Sequence, residues 1–326
     1  MTLTLPDGLW PVMLTAFHPD GRIDWAGMDA LTDWYLQAGA AGLFANCLSS
    51  EMYHLSPTER LALTRHVVAR VDGRVPVVAT GTFGGSLPAQ ARFIQEMADT
   101  GVAAVVVITS QLATQEEPDA VLQERLDHLL QLTGEIPLGL YECPDPYKRL
   151  LSPELAAWAG QTGRFLYLKD TTCDPVAIRA KLAALHGTPL RLFNANTASA
   201  LESLQDGAAG LSPIAANAYP ELFAWLCRHF DTHPEEARKV QRLLRLMEAV
   251  INIQYPAAAK LLLQKRGLPI QVTCRSMKAT FRYEHHAMLD SVLETVLVLR
   301  QELAMDALPV AASANGPGSA AVRKPG

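Results

Sequence analysis

Lys169 and Tyr141, 28 positions apart, are the two residues of this sequence whose types and placement suit carbonyl chemistry. A lysine held out of water loses proton affinity because burial penalises the charged form, and the resulting neutral amine can attack a carbonyl carbon. Lys169 ends the apolar run Phe165-Leu166-Tyr167-Leu168, and strand alternation puts it on the same face as Phe165 and Tyr167. If that face is interior, the amine is desolvated; the competing reading pairs Lys169 with Asp170 or another acid at a rim. The other lysines, Lys148, Lys181, Lys239, Lys260, Lys265, Lys278 and Lys324, fall on expected helices, loops or the tail, where a solvated ammonium is the expectation. Tyr141 ends the preceding apolar run, and neighbouring parallel strands lie about 4.8 Å apart, so its phenol can reach the Lys169 amine. A phenol there can pass protons while a carbinolamine forms and dehydrates; a buried aromatic with a satisfied hydroxyl is the alternative. Glu142, next in sequence, could assist a dehydration or bind a sugar hydroxyl, or simply pair with Arg149.

The elements that must position these groups are legible as short apolar runs separated by amphipathic helical stretches, the alternation of parallel βαβ units. Strands are expected at 10–17, 42–47, 76–80, 103–109, 137–141, 165–169, 190–194 and 210–214, eight in all. Ser56-Pro57-Thr58-Glu59 and Ser152-Pro153-Glu154 each supply a capping serine, a first-turn proline and a carboxylate, the signature of a helix start. Eight such units predict a (β/α)8 TIM barrel rather than a doubly wound sheet, whose glycine-rich phosphate turn is missing after the first strand. The barrel is expected over 1–230 and a helical appendage over 231–306. The stretch 307–326 is rich in Ala, Gly, Ser and Pro, and is expected to be a disordered tail.

In such a barrel the site lies at the carboxyl ends of the strands, which nominates Ser49, Ser50, Tyr141, Glu142, Lys169, Asn194, Asn196 and Ser212 among others. A metal centre would want clustered ligands, and His18 stands alone after the first strand. Gly81, Gly84 and Gly85 lack the lysine and hydroxyl residue of a nucleotide loop. With a net charge of −5 and its 28 basic residues scattered, the chain has no electrostatic footprint for nucleic acid. It also has no apolar run of the ~20 residues that a membrane-spanning helix needs. Five well-separated cysteines fit a reducing cytoplasm better than a disulfide framework.

Taken in order, these blocks resemble the dihydrodipicolinate synthase and N-acetylneuraminate lyase family of Schiff-base barrel enzymes over most of the chain. Pro11-Val12-Met13-Leu14-Thr15-Ala16-Phe17 with Asp20-Gly21-Arg22-Ile23-Asp24 resembles the family's first strand and turn, and Leu140-Tyr141-Glu142-Cys143-Pro144 its tyrosine motif. Leu166-Tyr167-Leu168-Lys169-Asp170-Thr171 is similar to its lysine motif. Two further blocks match, Gly210-Leu211-Ser212-Pro213-Ile214-Ala215-Ala216-Asn217 and Tyr255-Pro256-Ala257-Ala258-Ala259-Lys260, the second read as structural.

The resemblance implies a class I lyase or aldolase in which Lys169 forms a Schiff base with pyruvate or another 2-oxo acid, with Tyr141 as proton carrier and no cofactor or metal. It implies that Cys47-Leu48-Ser49-Ser50-Glu51 holds the substrate carboxylate through Ser49 and Ser50, and that Asn194, Asn196 and Ser212 line the pocket, whereas Glu142 is unusual for the family at its position. A homodimer or homotetramer is implied as well. The chain departs from the family's G-T-T-G-E loop at Leu48, Ser49 and Ser50, has Thr109-Ser110-Gln111-Leu112 where the synthases place a relay tyrosine, and has Pro146 at their substrate-gripping arginine. Lys148 and Arg149 are the nearby bases, both expected to be exposed, so aspartate semialdehyde is not the expected substrate. The competing reading is a non-catalytic barrel that binds a 2-oxo acid as a sensor or scaffold; there the amine and phenol would be dispensable.

Overall fold

The computed structural model describes residues 4–305, so the tail expected at 307–326 lies outside the described residues. In chain order the elements are β1 (Gly8–Leu9), α1 (Trp25–Gln37), β2 (Leu43–Asn46), α2 (Pro57–Val71), β3 (Val77–Thr80), α3 (Leu87–Ala98), β4 (Ala104–Ile108) and α4 (Asp119–Thr133). There follow β5 (Leu138–Tyr141), α5 (Pro153–Gln161), β6 (Phe165–Asp170), α6 (Pro175–Ala184), β7 (Arg191–Asn194), α7 (Ala200–Gln205), β8 (Gly210–Leu211) and α8 (Pro220–His229). Three helices, α9 (Pro234–Asn252), α10 (Ala257–Lys265) and α11 (Tyr283–Glu302), come last.

All eight strands are parallel, in the order β1-β8-β7-β6-β5-β4-β3-β2. The ring closes between the first and second strand segments through the Val12–Phe44 bridge, with Met13 N donating to Phe44 O and Phe44 N to Pro11 O, both at 3.0 Å. This is the (β/α)8 barrel that the alternation predicts. The expected first strand at 10–17 is much shorter as a ladder, because Pro11 has no N–H to donate and only isolated bridges at Val12 and Phe17 continue beyond Leu9. β8 likewise stops at Leu211, two residues before Pro213. The helical appendage expected over 231–306 is interrupted by a non-helical crossing between Lys265 and Tyr283.

The predicted helix starts follow the capping chemistry. Ser56 Oγ accepts from Glu59 N at 3.2 Å while Glu59 Oε2 accepts from Ser56 N at 2.9 Å, and Ser152 Oγ accepts from Leu155 N at 3.1 Å.

Inside the ring, Trp10, Phe44, Tyr167 and Phe193 fill the barrel, with Tyr167 and Phe193 stacked at 4.8 Å and Trp10 5.3 Å from Tyr167. Each such ring pair adds about 0.5–1.5 kcal/mol beyond area burial. Gly42 makes room for this plug, since a Cβ there would lie 2.5 Å from the Trp10 ring. The β5–β6 register slips between Leu138 and Gly139, pairing Leu138 with Phe165 and Gly139 with Tyr167. That irregularity turns Phe165 outward against Trp158 of α5, so Phe165 does not share the interior face of Tyr167, as simple alternation would have it. Past the slip the alternation holds, and Tyr141 and Lys169 are register partners at the carboxyl ends of their strands.

Candidate active site

Lys169 is 3% exposed, and its Nζ lies 3.3 Å from the Tyr141 hydroxyl and 4.4 Å from that ring's centroid. It forms no ion pair among the described residues; Asp170, the competing partner at the rim, faces the opposite side of β6 and binds Lys181. Burial lowers the Lys169 pKa. The thiols of Cys47 and Cys143 would counter this if ionised, but burial raises both, so they stay neutral beside the amine. Burial also raises the Tyr141 pKa, which keeps its phenol protonated at neutral pH.

Above this pair opens a cleft of about 560 Å³ at the carboxyl ends of the strands. Ser49, Tyr141, Lys169 and Thr171 line its barrel side. Ser50, Glu142, Asn194 and Ser212 do not line it, and their side chains are engaged elsewhere. The Ser50 hydroxyl binds Met13 O at 2.7 Å and Ala45 O at 2.9 Å while accepting from Cys47 N, so it ties the loop to the first strand segment. Asn194 Nδ2 donates to Ser199 and Ser203, and Asn194 Oδ1 accepts from Asn196 N at 2.8 Å, an arrangement that shapes the turn after β7. Asn196 in turn accepts from Ser199 N. Ser212 donates to Trp10 O at 2.8 Å and meets the Tyr167 hydroxyl at 3.0 Å, inside the barrel below the cleft.

Glu142 is fully buried on the outer side of the sheet, and its partner is Lys181 of α6, not Arg149. Lys181 Nζ also donates to Asp170 Oδ2 and Thr172 Oγ1, each at 2.7 Å, and the Glu142 carboxylate accepts from Leu151 N and Thr171 N. Burial opposes the Lys181 charge, yet Glu142 and Asp170 outweigh it and raise its pKa. Burial, followed by the nearby Asp170 charge, raises that of Glu142. This cluster stitches together the two strand tips that carry Tyr141 and Lys169. Lys181 is therefore not the solvated helix lysine expected from its position. Arg149 is largely buried too, donating to Asp119 at 2.7 Å and to Glu117 O. Lys260 is another correction: it is buried, pairs with Glu51 at 2.8 Å and anchors the strand-two loop to α10.

Sequence reasoning passed over Tyr53, Tyr255, Glu248 and Ser276, all of which line the cleft. Tyr53 donates to Asp145 O at 3.1 Å and accepts from Gln111 Nε2 at 3.3 Å. Tyr255 belongs to a block read as structural. Its hydroxyl accepts from Asn217 Nδ2 at 2.8 Å, an orientation fixed because Nδ2 also donates to Val12 O and Asn217 Oδ1 accepts from the Tyr35 hydroxyl. Ser49 and Tyr255 line the same cleft. The chain after the barrel brings Tyr255, Glu248 and Ser276 to this rim, from α9, the turn that follows it and the crossing before α11, and a strand-end survey does not reach them. Among the described residues no three His, Cys, Asp or Glu side chains group as a metal site.

The model of the dihydrodipicolinate synthetase family matches residues 5–296, nearly the whole chain. The chain belongs to that family. Membership places it among class I, Schiff-base-type aldolases and lyases, as a divergent member. A 4-hydroxy-tetrahydrodipicolinate synthase of Cellvibrio japonicus is 26% identical over 290 residues, 88% of this chain and 98% of that protein. Among solved structures, dihydrodipicolinate synthase DapA-2 of Bacillus anthracis superposes with a TM-score of 0.80 at 20% identity, covering 90% of this chain and 99% of that one. YagE, a prophage protein of the family from E. coli K12 solved in complex with pyruvate, gives a TM-score of 0.79 at 21% identity, covering 89% and 98%. These likenesses establish the shared barrel fold. Among the described residues no helix is long and apolar enough to cross a membrane.

Proposed function

We propose that the protein is a lyase or aldolase whose Lys169 condenses with pyruvate or a longer 2-oxo acid. The observation that carries this reading is a buried lysine without an acidic partner, 3.3 Å from a protonated phenol at the floor of the cleft. The neutral amine attacks the 2-oxo carbon to give a carbinolamine, and loss of water leaves an iminium. Tyr141 delivers and recovers the protons of these two steps. The iminium takes up the electron pair released when a bond at the adjacent carbon breaks, whether C–H or C–C. The enamine so formed regains an iminium when that carbon takes up a proton or bonds to an electrophilic carbonyl carbon, and water then hydrolyses this iminium, frees the product and restores the amine. No cofactor or metal is required by this sequence of steps.

The Ser49 hydroxyl supports the carboxylate end of the reading. It lines the cleft and can donate its hydrogen to an anion there. Ser50, Glu142, Asn194 and Ser212 are left out of the proposed contact set because their polar atoms are already used. The presence of pyruvate in the solved complex of the E. coli K12 relative agrees with this assignment. Five unpaired cysteines suit a reducing cytoplasm. We propose a homodimer or homotetramer as the assembly; exposed Leu297 and Val298 on α11 are apolar surface of the kind subunits cover.

Incubation with pyruvate followed by borohydride should leave a reduced adduct mapped to Lys169, and Lys169→Ala should leave none. No adduct on folded protein, with pyruvate or with longer 2-oxo acids, would overturn the proposal. The rate of adduct formation should rise with pH as the amine loses its proton. Because burial lowers the Lys169 pKa, the plateau should arrive below the ordinary lysine value of about 10.4. A rate still climbing steeply at that value would mean that the amine is not desolvated in solution.

A further inference from the structure

Glu248 is the one acidic group of the cleft that α9 supplies, and nothing above assigns it a role. Gln241, Arg245 and Glu248 share a helix face at i, i+4 and i+7. The first two grip the connection after β7: Gln241 accepts from Leu201 N at 2.8 Å and donates to Thr197 O at 2.7 Å, and Arg245 donates to Ala198 O at 2.7 Å. The third extends the row over the cleft, with Oε1 accepting from Thr197 Oγ1 at 2.8 Å. Glu248 Oε2 has no hydrogen-bond partner, and the carboxyl no ion pair, among the described residues. Burial raises its pKa, which favours the neutral acid, able both to donate and to accept.

We propose that Glu248 is a specificity-determining residue that hydrogen-bonds a hydroxyl on the substrate's carbon chain beyond its 2-oxo group. The substrate class is accordingly a 2-oxo acid with a hydroxylated, uncharged distal chain. A distal carboxylate finds little support in the cleft: Lys148 on the rim already donates to Thr171 O at 2.8 Å and to Cys173 Sγ at 3.6 Å, and Asp145 stands beside it on the same rim. Thr197 holds the carboxyl still, so a substrate hydroxyl meets a prepositioned partner, whereas a chain lacking that hydroxyl leaves the partner unpaired.

This inference rests on the Schiff-base reading, and the test separates the two. Half-saturating concentrations for borohydride-trapped adduct on Lys169 are measured with pyruvate, 2-oxo-3-deoxygluconate, 2-oxohexanoate and 2-oxoadipate. With the parent protein, the hydroxylated acid should saturate at least about tenfold lower than the other two six-carbon acids. Glu248→Ala and the volume-conserving Glu248→Met should bring that ratio to within about threefold of unity, Glu248→Gln should retain most of it, and pyruvate should saturate alike in all four proteins. Circular dichroism and thermal unfolding establish that each variant is folded, and either apolar variant suffices. An unchanged ratio in the apolar variants, or a parent preference for 2-oxoadipate or 2-oxohexanoate, overturns the role of Glu248 and leaves the Schiff base standing. No adduct with pyruvate, which has no distal chain, overturns the Schiff base and with it this inference.

Discussion

Lys169→Ala should turn over any 2-oxo acid on the order of 10⁴-fold more slowly than the parent while keeping the fold. The amine is the covalent anchor of every step, and among the described residues the nearby lysines do not replace it: Lys148 lies at the rim, and Lys181 and Lys260 are locked in buried ion pairs. Stability should not suffer, because Lys169 forms no ion pair and its burial is itself unfavourable. An unfolding midpoint at or above the parent's, with the adduct abolished, is the expected pair of observations. Tyr141→Phe removes only the proton carrier and should cost about 10²–10⁴-fold in rate with a slower, still detectable adduct. Turnover persisting in Lys169→Ala would end the covalent mechanism.

Lys181→Met is expected to destabilise the protein by about 3–5 kcal/mol, because it strands two buried carboxylates without their cation. Glu142 and Asp170 are both fully buried, so neither recovers its hydration when Lys181 is lost. In a chain of this size the loss should lower the thermal midpoint on the order of 10 °C. Adding Glu142→Gln and Asp170→Asn to Lys181→Met removes the stranded charges and should restore most of the loss, a coupling that separate, additive effects would not produce. A midpoint within about 2 °C of the parent for Lys181→Met alone would refute the cluster's role.

The barrel and its central pair are legible because they follow from local rules. Alternation and strand spacing are enough to bring Tyr141 against Lys169, and the register bears this out. The burial of Lys181 is hidden because a lysine on a helix is ordinarily solvated, although its spacing from Ile178 and Leu185 places it on the apolar stripe of α6. The same holds for Lys260, set within Ala257-Ala258-Ala259 and Leu261-Leu262-Leu263. Glu142 lies nearer in sequence to Arg149 than to Lys181, but the chain between them turns Arg149 toward Asp119, and sequence distance carries no information about that turn. The inward-facing hydroxyls of Ser50 and Ser212 serve backbone carbonyls, an allocation that only three-dimensional packing settles. Glu248 could be found only by knowing that α9 crosses the mouth of the barrel.

That crossing divides the labour between two stretches of one chain. The reacting groups sit on strand tips that the Lys181 cluster freezes, whereas Glu248, Tyr255 and Ser276 reach the same cleft from helices and a crossing segment that add no strand to the ring. Selectivity can therefore drift by substitution in the outer stretch while the strand register that aligns amine and phenol is inherited unchanged. One buried joint between the two is the Lys260–Glu51 pair at 2.8 Å, and an exchange of the outer helices between relatives has to carry that lysine with it.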